Sequence, residues 1–203
     1  MGCSSSSSMN KKVIFVIGKP GSGQKSQAIY LKNQIKNCNV IQVESLIRYE
    51  MLIKSSMKLD QINEDKLVPS NELVEILNEK IKYLPSEYVI VEAFPKNENN
   101  VQEWKNIIGK KILIHSLIYL KIDDKDNDKI FEREKDKIDS MGEFYVEKRL
   151  KTFNEHTLQI IQALRKDINV IDIHGEKNEN DVSEEIWKKF KELNKIGVFH
   201  HLN

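Results

Sequence analysis

Apolar positions along this chain follow two rhythms. Short, nearly unbroken runs at Val13–Ile17 (VIFVI), Tyr88–Ala93 (YVIVEA), Ile112–Ile122 and Asn169–Ile173 (NVIDI) are rich in β-branched residues. They predict buried strands, with a further short strand at Asn39–Val43. Between them the spacing changes to three and four. Ala28, Leu31 and Ile35 share one face of a helix over Ser26–Lys36. Helices are likewise predicted over Glu44–Lys54, Ser70–Leu84, Asn99–Ile108, Phe144–Lys166 and Asp181–Leu193. Strands separated by helices predict an α/β domain with a parallel sheet covered on both faces. Ligands of such sheets bind at the carboxyl ends of the strands. Three segments fall at such ends: a glycine-rich run after the first strand, Glu92–Lys96, and Asp123–Arg133.

Composition narrows the picture. A chain of 203 residues suits one domain with a small excursion. Charged residues make up 31% but balance to net +1, which leaves no basic field for nucleic acid. No apolar run approaches the ~20 residues of a transmembrane helix. Two cysteines, Cys3 and Cys38, do not form a disulfide framework, and a reducing, cytoplasmic setting fits them best.

The first residues, MGCSSSSS, match the pattern M-G-x-x-x-[ST]. Gly2 would accept a myristoyl group and Cys3 a palmitoyl group. One myristoyl chain binds membranes weakly, with K of about 10⁴ M⁻¹, so the second lipid matters. Residues 1–10 therefore read as an acylated flexible leader that anchors a domain over 11–203 to a membrane surface. The alternative is that the run carries no signal and Met9 is a start.

The stretch Ile17–Ala28, IGKPGSGQKSQA, carries the first chemistry. Gly18, Gly21 and Gly23, with Ser22 between, let the backbone turn tightly and aim its N–H groups inward. The helix that starts near Gln24 adds its positive end to the same spot. This is a phosphate cradle. The pattern G-x-x-x-x-G-K-[ST], anchored on Gly18 and Gly23, wants lysine at 24, where this chain has Gln24. Its lysine is one place late, at Lys25, rotated by about 100° on the helix. Ser26 offers a hydroxyl suited to Mg²⁺. Removing one preorganised charge-stabilising group typically costs ~10²–10³ in rate. The loop thus predicts binding more firmly than turnover. Glu92 ends a buried strand, where an unpaired carboxylate is costly, and so reads as functional.

From Ile17 to Phe190 the chain resembles the adenylate kinase-like nucleoside monophosphate kinases, nearest their UMP/CMP branch. GKPGSGQKSQ is similar to that family's G-x-P-G-x-G-K-G-T-Q, with Ser26 and Gln27 on the T-Q pair. VIVEAFPKNENNVQEW is similar to I-D-G-F-P-R-N-x-D-N-x-x-G-W, and Trp104 closes it in register. The resemblance implies a P-loop NTPase-type three-layer αβα fold with a central parallel five-stranded sheet. It also implies a helical acceptor-binding insertion over 44–84 and a lid over 131–143, shortened by several residues. In ESLIRYE, Arg48 falls on the arginine of S-x-G-D-L-L-R, and Ser45 on its aspartate. Lys96 falls on the arginine of F-P-R and keeps its charge without its fork. Asn97 falls on the asparagine that reads a pyrimidine edge, and Val68 and Pro69 on the loop under the acceptor base. Glu92 replaces an aspartate and Ala93 a glycine. Arg133 and Arg149, the latter in EKRLKTF, look retained in the lid region, whose G-R-x-D-D element has no counterpart.

The implied activity is phosphoryl transfer from Mg·ATP to a nucleoside monophosphate, UMP, CMP or AMP, by a monomer. Gly18, Gly21, Ser22, Gly23, Gln24, Lys25, Ser26 and Gln27 would hold the nucleotide. Ser26 and Glu92 would place Mg²⁺, while Arg48, Val68, Lys96 and Asn97 would hold the acceptor. Lys25, Arg133 and Arg149 would stabilise the transferring group. The rival reading is a membrane-tethered pseudokinase that binds nucleotide as a sensor or scaffold. A GTPase-like switch is disfavoured by the lack of an N-K-x-D element. Several residues have plainer readings. Arg48 and Lys96 could be surface charges, Asn97 a helix cap, and Arg133 and Arg149 partners of neighbouring acids. Trp104 reads as a core anchor. His115 and His156 read as structural, and His174 as structural or exposed.

Overall fold

The structure is a computed structural model that describes residues 11–55 and 68–202. The lipidation candidates Gly2 and Cys3 lie outside the described residues. The strands are β1 (Lys12–Gly18), β2 (Cys38–Gln42), β3 (Tyr88–Glu92), β4 (Leu113–Lys121) and β5 (Val170–His174). Every pairing is parallel, in the order β2-β3-β1-β4-β5. The helices are α1 (Gln24–Gln34), α2 (Val43–Ser55), α3 (Ser70–Tyr83), α4 (Glu98–Ile107), α5 (Asn127–Arg133), α6 (Lys135–Met141), α7 (Glu143–Thr152), α8 (Leu158–Leu164) and α9 (Glu179–Ile196). This is the three-layer α/β arrangement that the two rhythms predict.

Alternation along β1 builds both cores. Val13, Phe15 and Ile17 point to one face, where Leu77, Ile81, Trp104 and Ile161 close over them. Ile14 and Val16 point to the other, under Ala28 and Leu31 of α1 and Ile186 and Phe190 of α9. Trp104 is fully buried, with ring centroids 5.1 Å from Phe15 and 5.6 Å from Phe94. Such aromatic contacts contribute about 0.5–1.5 kcal/mol each beyond burial. His115 is also fully buried, stacked 4.8 Å from Phe190, and burial pushes its pKa down to about 4, so it is a neutral core residue.

Register brings the functional ends together. Val16 and Gln42 both pair with Glu92, Gly18 pairs with Leu120, and Lys121 with His174. All five strands therefore discharge their chains at one edge. Two differences from expectation lie there. The stretch read as a short lid, with the residues before it, holds α5 and α6, joined at Glu134. They pack a small separate core of Ile122, Ile130, Val146 and Leu150. The single helix predicted over Phe144–Lys166 is α7 and α8 joined by a π-helical turn, Phe153–Thr157. Among the described residues, no helix is long and apolar enough to cross a membrane.

Candidate active site

The glycine loop leaves β1 at Gly18 and turns through left-handed backbone at Gly21 (φ 71) and Gly23 (φ 82). A side chain at Gly21 would also press on the backbone of Ile130, whose oxygen lies 3.1 Å from the Cβ position. Glycine there is thus required twice, by conformation and by contact. Ser22 is buried, and its hydroxyl has no hydrogen-bond partner. A buried polar atom without a partner is costly, and this one belongs to the glycine loop that lines the cleft, which fits an anion-binding loop. Gln24 turns its side chain back into the loop, where Oε1 accepts from the Gly18 N–H at 3.0 Å. Lys25 and Ser26 are exposed and line the cleft in front of the loop. Gln27 also lines it but is buried. Its Nε2 donates to the Glu179 carbonyl at 3.2 Å, and its Oε1 accepts from Ser183 at 3.0 Å, which docks α1 on α9.

The cleft has a volume of about 460 Å³. Glu92 lies in its wall, only 6% exposed. Burial, and then the charge of Glu44, push its carboxyl up to about 7, against the pull of Lys96, Lys25 and Arg149. Facing it is a chain of alternating charges. Lys137 donates to Glu134 at 2.7 Å, and Glu134 lies 3.8 Å from Arg149. Arg149 donates to Glu44 at 2.9 Å, and Lys96 reaches the same Glu44 oxygen at 3.2 Å. Burial raises the Glu44 carboxyl, but Lys96 and Arg149 outweigh it and hold Glu44 below its ordinary value. This series of ion pairs runs from α6 across α7 to the start of α2 and the loop after the cis Phe94–Pro95 bond.

A family model described as AAA domain matches residues 17–145, well over half of the chain. UMP-CMP kinase 1 of Oryza sativa subsp. japonica is 26% identical over 190 residues, covering 90% of this chain and 75% of that protein. UMP-CMP kinase 2 of Caenorhabditis elegans is 27% identical over 191 residues, covering 90% and 98%. The UMP-CMP kinase of Sus scrofa is 24% identical over 200 residues, again covering 90% and 98%. The chain belongs to this AAA domain family, and its similarity runs to nucleoside monophosphate kinases of the UMP/CMP branch.

The loop residues Gly21, Ser22, Gly23, Gln24, Lys25, Ser26 and Gln27 line one cleft with Glu92, Arg133 and Arg149. Gly18 lies beneath, tied to Gln24. The expected acceptor residues are placed differently. Val68 packs on the core that holds Trp104. Asn97 caps α4, its side chain accepting from the Asn100 N–H at 2.9 Å, because the helix start needs an acceptor there. Lys96 joins the site through Glu44, and Arg48 follows Glu44 one turn later on α2.

Arg133, expected to stabilise the transferring group, is engaged as a clamp. It donates to the carbonyls of Gly21 (3.2 Å), Gly175 (2.7 Å), Glu176 (3.3 Å) and Lys177 (3.1 Å). Its five fixed donors suit such a convergence of carbonyls. The guanidinium thereby ties the glycine loop to the β5–α9 connection. Glu44, Glu134 and Lys137 were not legible as site residues. Only Glu44 leaves a trace in the sequence, since it stands where S-x-G-D-L-L-R has glycine.

Proposed function

We propose that this chain is a nucleoside monophosphate kinase that moves a phosphoryl group from ATP to UMP or CMP, with AMP as a further candidate. One observation supports this most: the amide cradle with its unpartnered Ser22 hydroxyl, the buried Glu92 and the Arg149 guanidinium line one cleft at the strand ends. The cradle would hold the donor's β- and γ-phosphates. Lys25 would follow the charge from the cleft mouth, and Arg149 would face the transferring group from α7. A phosphate oxygen of the acceptor attacks the γ-phosphorus as the bond to the β–γ bridging oxygen breaks, and ADP leaves with that oxygen. No covalent enzyme intermediate is needed, since positioning and electrostatics carry such transfers. Ser26 and Glu92 fit Mg²⁺, being a hydroxyl and a buried carboxylate on one cleft. Bound there, the ion would neutralise charge on the β- and γ-oxygens. The same proposal places the domain at a cytoplasmic membrane surface through lipids on Gly2 and Cys3, on the strength of the MGCSSSSS motif.

A second reading is a nucleotide-binding pseudokinase. It is favoured by Gln24, whose side chain closes the loop where the phosphate-binding pattern has lysine, and by the engagement of Arg133 with carbonyls. Direct assay of transfer from Mg·ATP to UMP, CMP and AMP separates the two, with ATP titration alongside. The kinase reading expects turnover on at least one acceptor that falls ~10²–10³-fold in Lys25→Ala. Tight ATP binding with no transfer to any acceptor would leave the pseudokinase.

A further inference from the structure

The kinase reading leaves Glu44, which lines the cleft, without a task. Glu44 sits at the first turn of α2 with one oxygen, Oε1, shared between two cations, Arg149 at 2.9 Å and Lys96 at 3.2 Å. Those cations come from elements far apart in sequence, α7 and the loop before α4. Their convergence on one oxygen is the geometry by which proteins hold a phosphate or carboxylate. Here the anion is the protein's own. Two neighbours make the arrangement specific. Glu134 lies 3.8 Å from the other arm of Arg149 and is itself held by Lys137, so the guanidinium is oriented from behind. Glu92 lines the same cleft, which adds a second carboxylate near Glu44.

We infer that Glu44 is a built-in occupant of the acceptor's phosphate subsite, a carboxylate that the incoming monophosphate displaces from Arg149 and Lys96. This inference rests on the kinase reading for the identity of the acceptor. The physical argument is one of competition. A phosphate dianion cannot take both cations while Glu44 holds them, because the two anions would share one small space and repel. Binding must therefore break two ion pairs and turn the Glu44 side chain outward. The move is open to it, since Glu44 is 38% exposed. Its partly exposed pairs are individually weak, which sets the scale of the effect. Glu44 therefore lowers acceptor affinity more than donor affinity, since the donor's cradle is on the other wall and shares only Arg149 with it. It also discriminates: an acceptor whose phosphate carries less negative charge gains less from the freed cations.

The test is titration calorimetry of the full chain with UMP, for the wild type, Glu44→Gln and Glu44→Gly, with ATP as a control ligand. The expected result is UMP affinity about tenfold tighter in both variants, with a clearly smaller gain for ATP, which meets Arg149 but not Lys96. Unchanged or weaker UMP binding in both, against intact ATP binding, overturns the inference. Transfer activity is read on the same samples and separates the two ideas. Turnover with no gain in UMP affinity leaves the kinase and removes the role of Glu44. Tighter UMP binding with no turnover keeps the role of Glu44 and removes the kinase. Absence of UMP binding in all three proteins overturns both.

Discussion

The two walls of the cleft are wired in opposite ways. On the glycine-loop wall, polar groups lack protein partners: the Ser22 hydroxyl is buried and unpaired, and Lys25 and Ser26 stand exposed at the cleft. On the facing wall, Lys137, Glu134, Arg149, Glu44 and Lys96 neutralise one another in series. The first wall is preorganised because its donors are backbone amides, fixed by the turn itself. The second is built from long side chains, and long side chains of opposite sign collapse on each other when nothing else is bound. On the proposed kinase reading, affinity for a donor phosphate is thus written into the main chain, whereas affinity for an acceptor depends on which anion the side chains hold.

Glu92 lies between the walls, and its titration gives the largest stability effect. Its carboxyl is raised from 4.5 to about 7 by burial. Below about pH 4.5 the folded and unfolded chains both hold the proton. Between there and about 7 only the folded chain holds it, so stability falls as pH rises through this window and levels off above it. The loss amounts to about 3 kcal/mol. Chemical denaturation in metal-free buffer should show this fall in the difference, wild type minus Glu92→Gln, because the buried His115, held down at about 4, raises the stability of both proteins across much of the same window and cancels in the difference. Equal slopes would mean that Glu92 is not a buried acid. Glu44 titrates in the opposite sense, being held low, and the comparison of wild type with variant cancels it.

A smaller effect is expected where the glycine loop is tied to the β5–α9 connection. Arg133→Ala removes four hydrogen bonds to carbonyls and should destabilise the fold by about 2 kcal/mol. Arg133→Lys should recover little, since an ammonium cannot reproduce the fork. Full recovery of the melting temperature by lysine would show that charge alone holds the connection. The smallest effect belongs to Ala93, which begins the loop between β3 and α4 with φ 62. A side chain in left-handed backbone is strained, and glycine relieves that strain while adding unfolded-state entropy. Ala93→Gly should therefore stabilise by under about 1 kcal/mol, measured as a shift in denaturation midpoint. Destabilisation would show that the Ala93 methyl packs usefully.

Much of this was legible before any coordinates. VIFVI and YVIVEA read as strands because buried parallel strands need continuous β-branched runs, and both fall in the sheet centre. The glycine loop was legible because its chemistry is in the backbone, and Gly21 and Gly23 mark the conformation directly. Helices α5 and α6 were not, because seven-residue helices dense in charge show no apolar stripe. The ion-pair series was not legible either. Whether Glu44 meets Arg149 depends on how α2 and α7 are brought together by the sheet, and residues 105 apart in sequence carry no local sign of it.

The π turn at Phe153–Thr157 also explains why α7 and α8 look like one helix on paper. Val146, Leu150, Phe153, Thr157, Ile160 and Leu164 recur at intervals of three and four, as a single stripe would. Yet Val146 and Leu150 pack in the small lid-side core, whereas Phe153, Ile160 and Leu164 pack against the sheet. A π turn holds one residue more than an ordinary turn, and one residue is about 100° of rotation. The rod is therefore geared. Its first half is phased to hold Arg149 over the cleft, its second half to grip the sheet, and Thr157, at the step between them, donates to the Lys96 carbonyl at 2.9 Å. Arg149 and Lys96, the two cations that meet on Glu44, are in this way indexed to one widened turn.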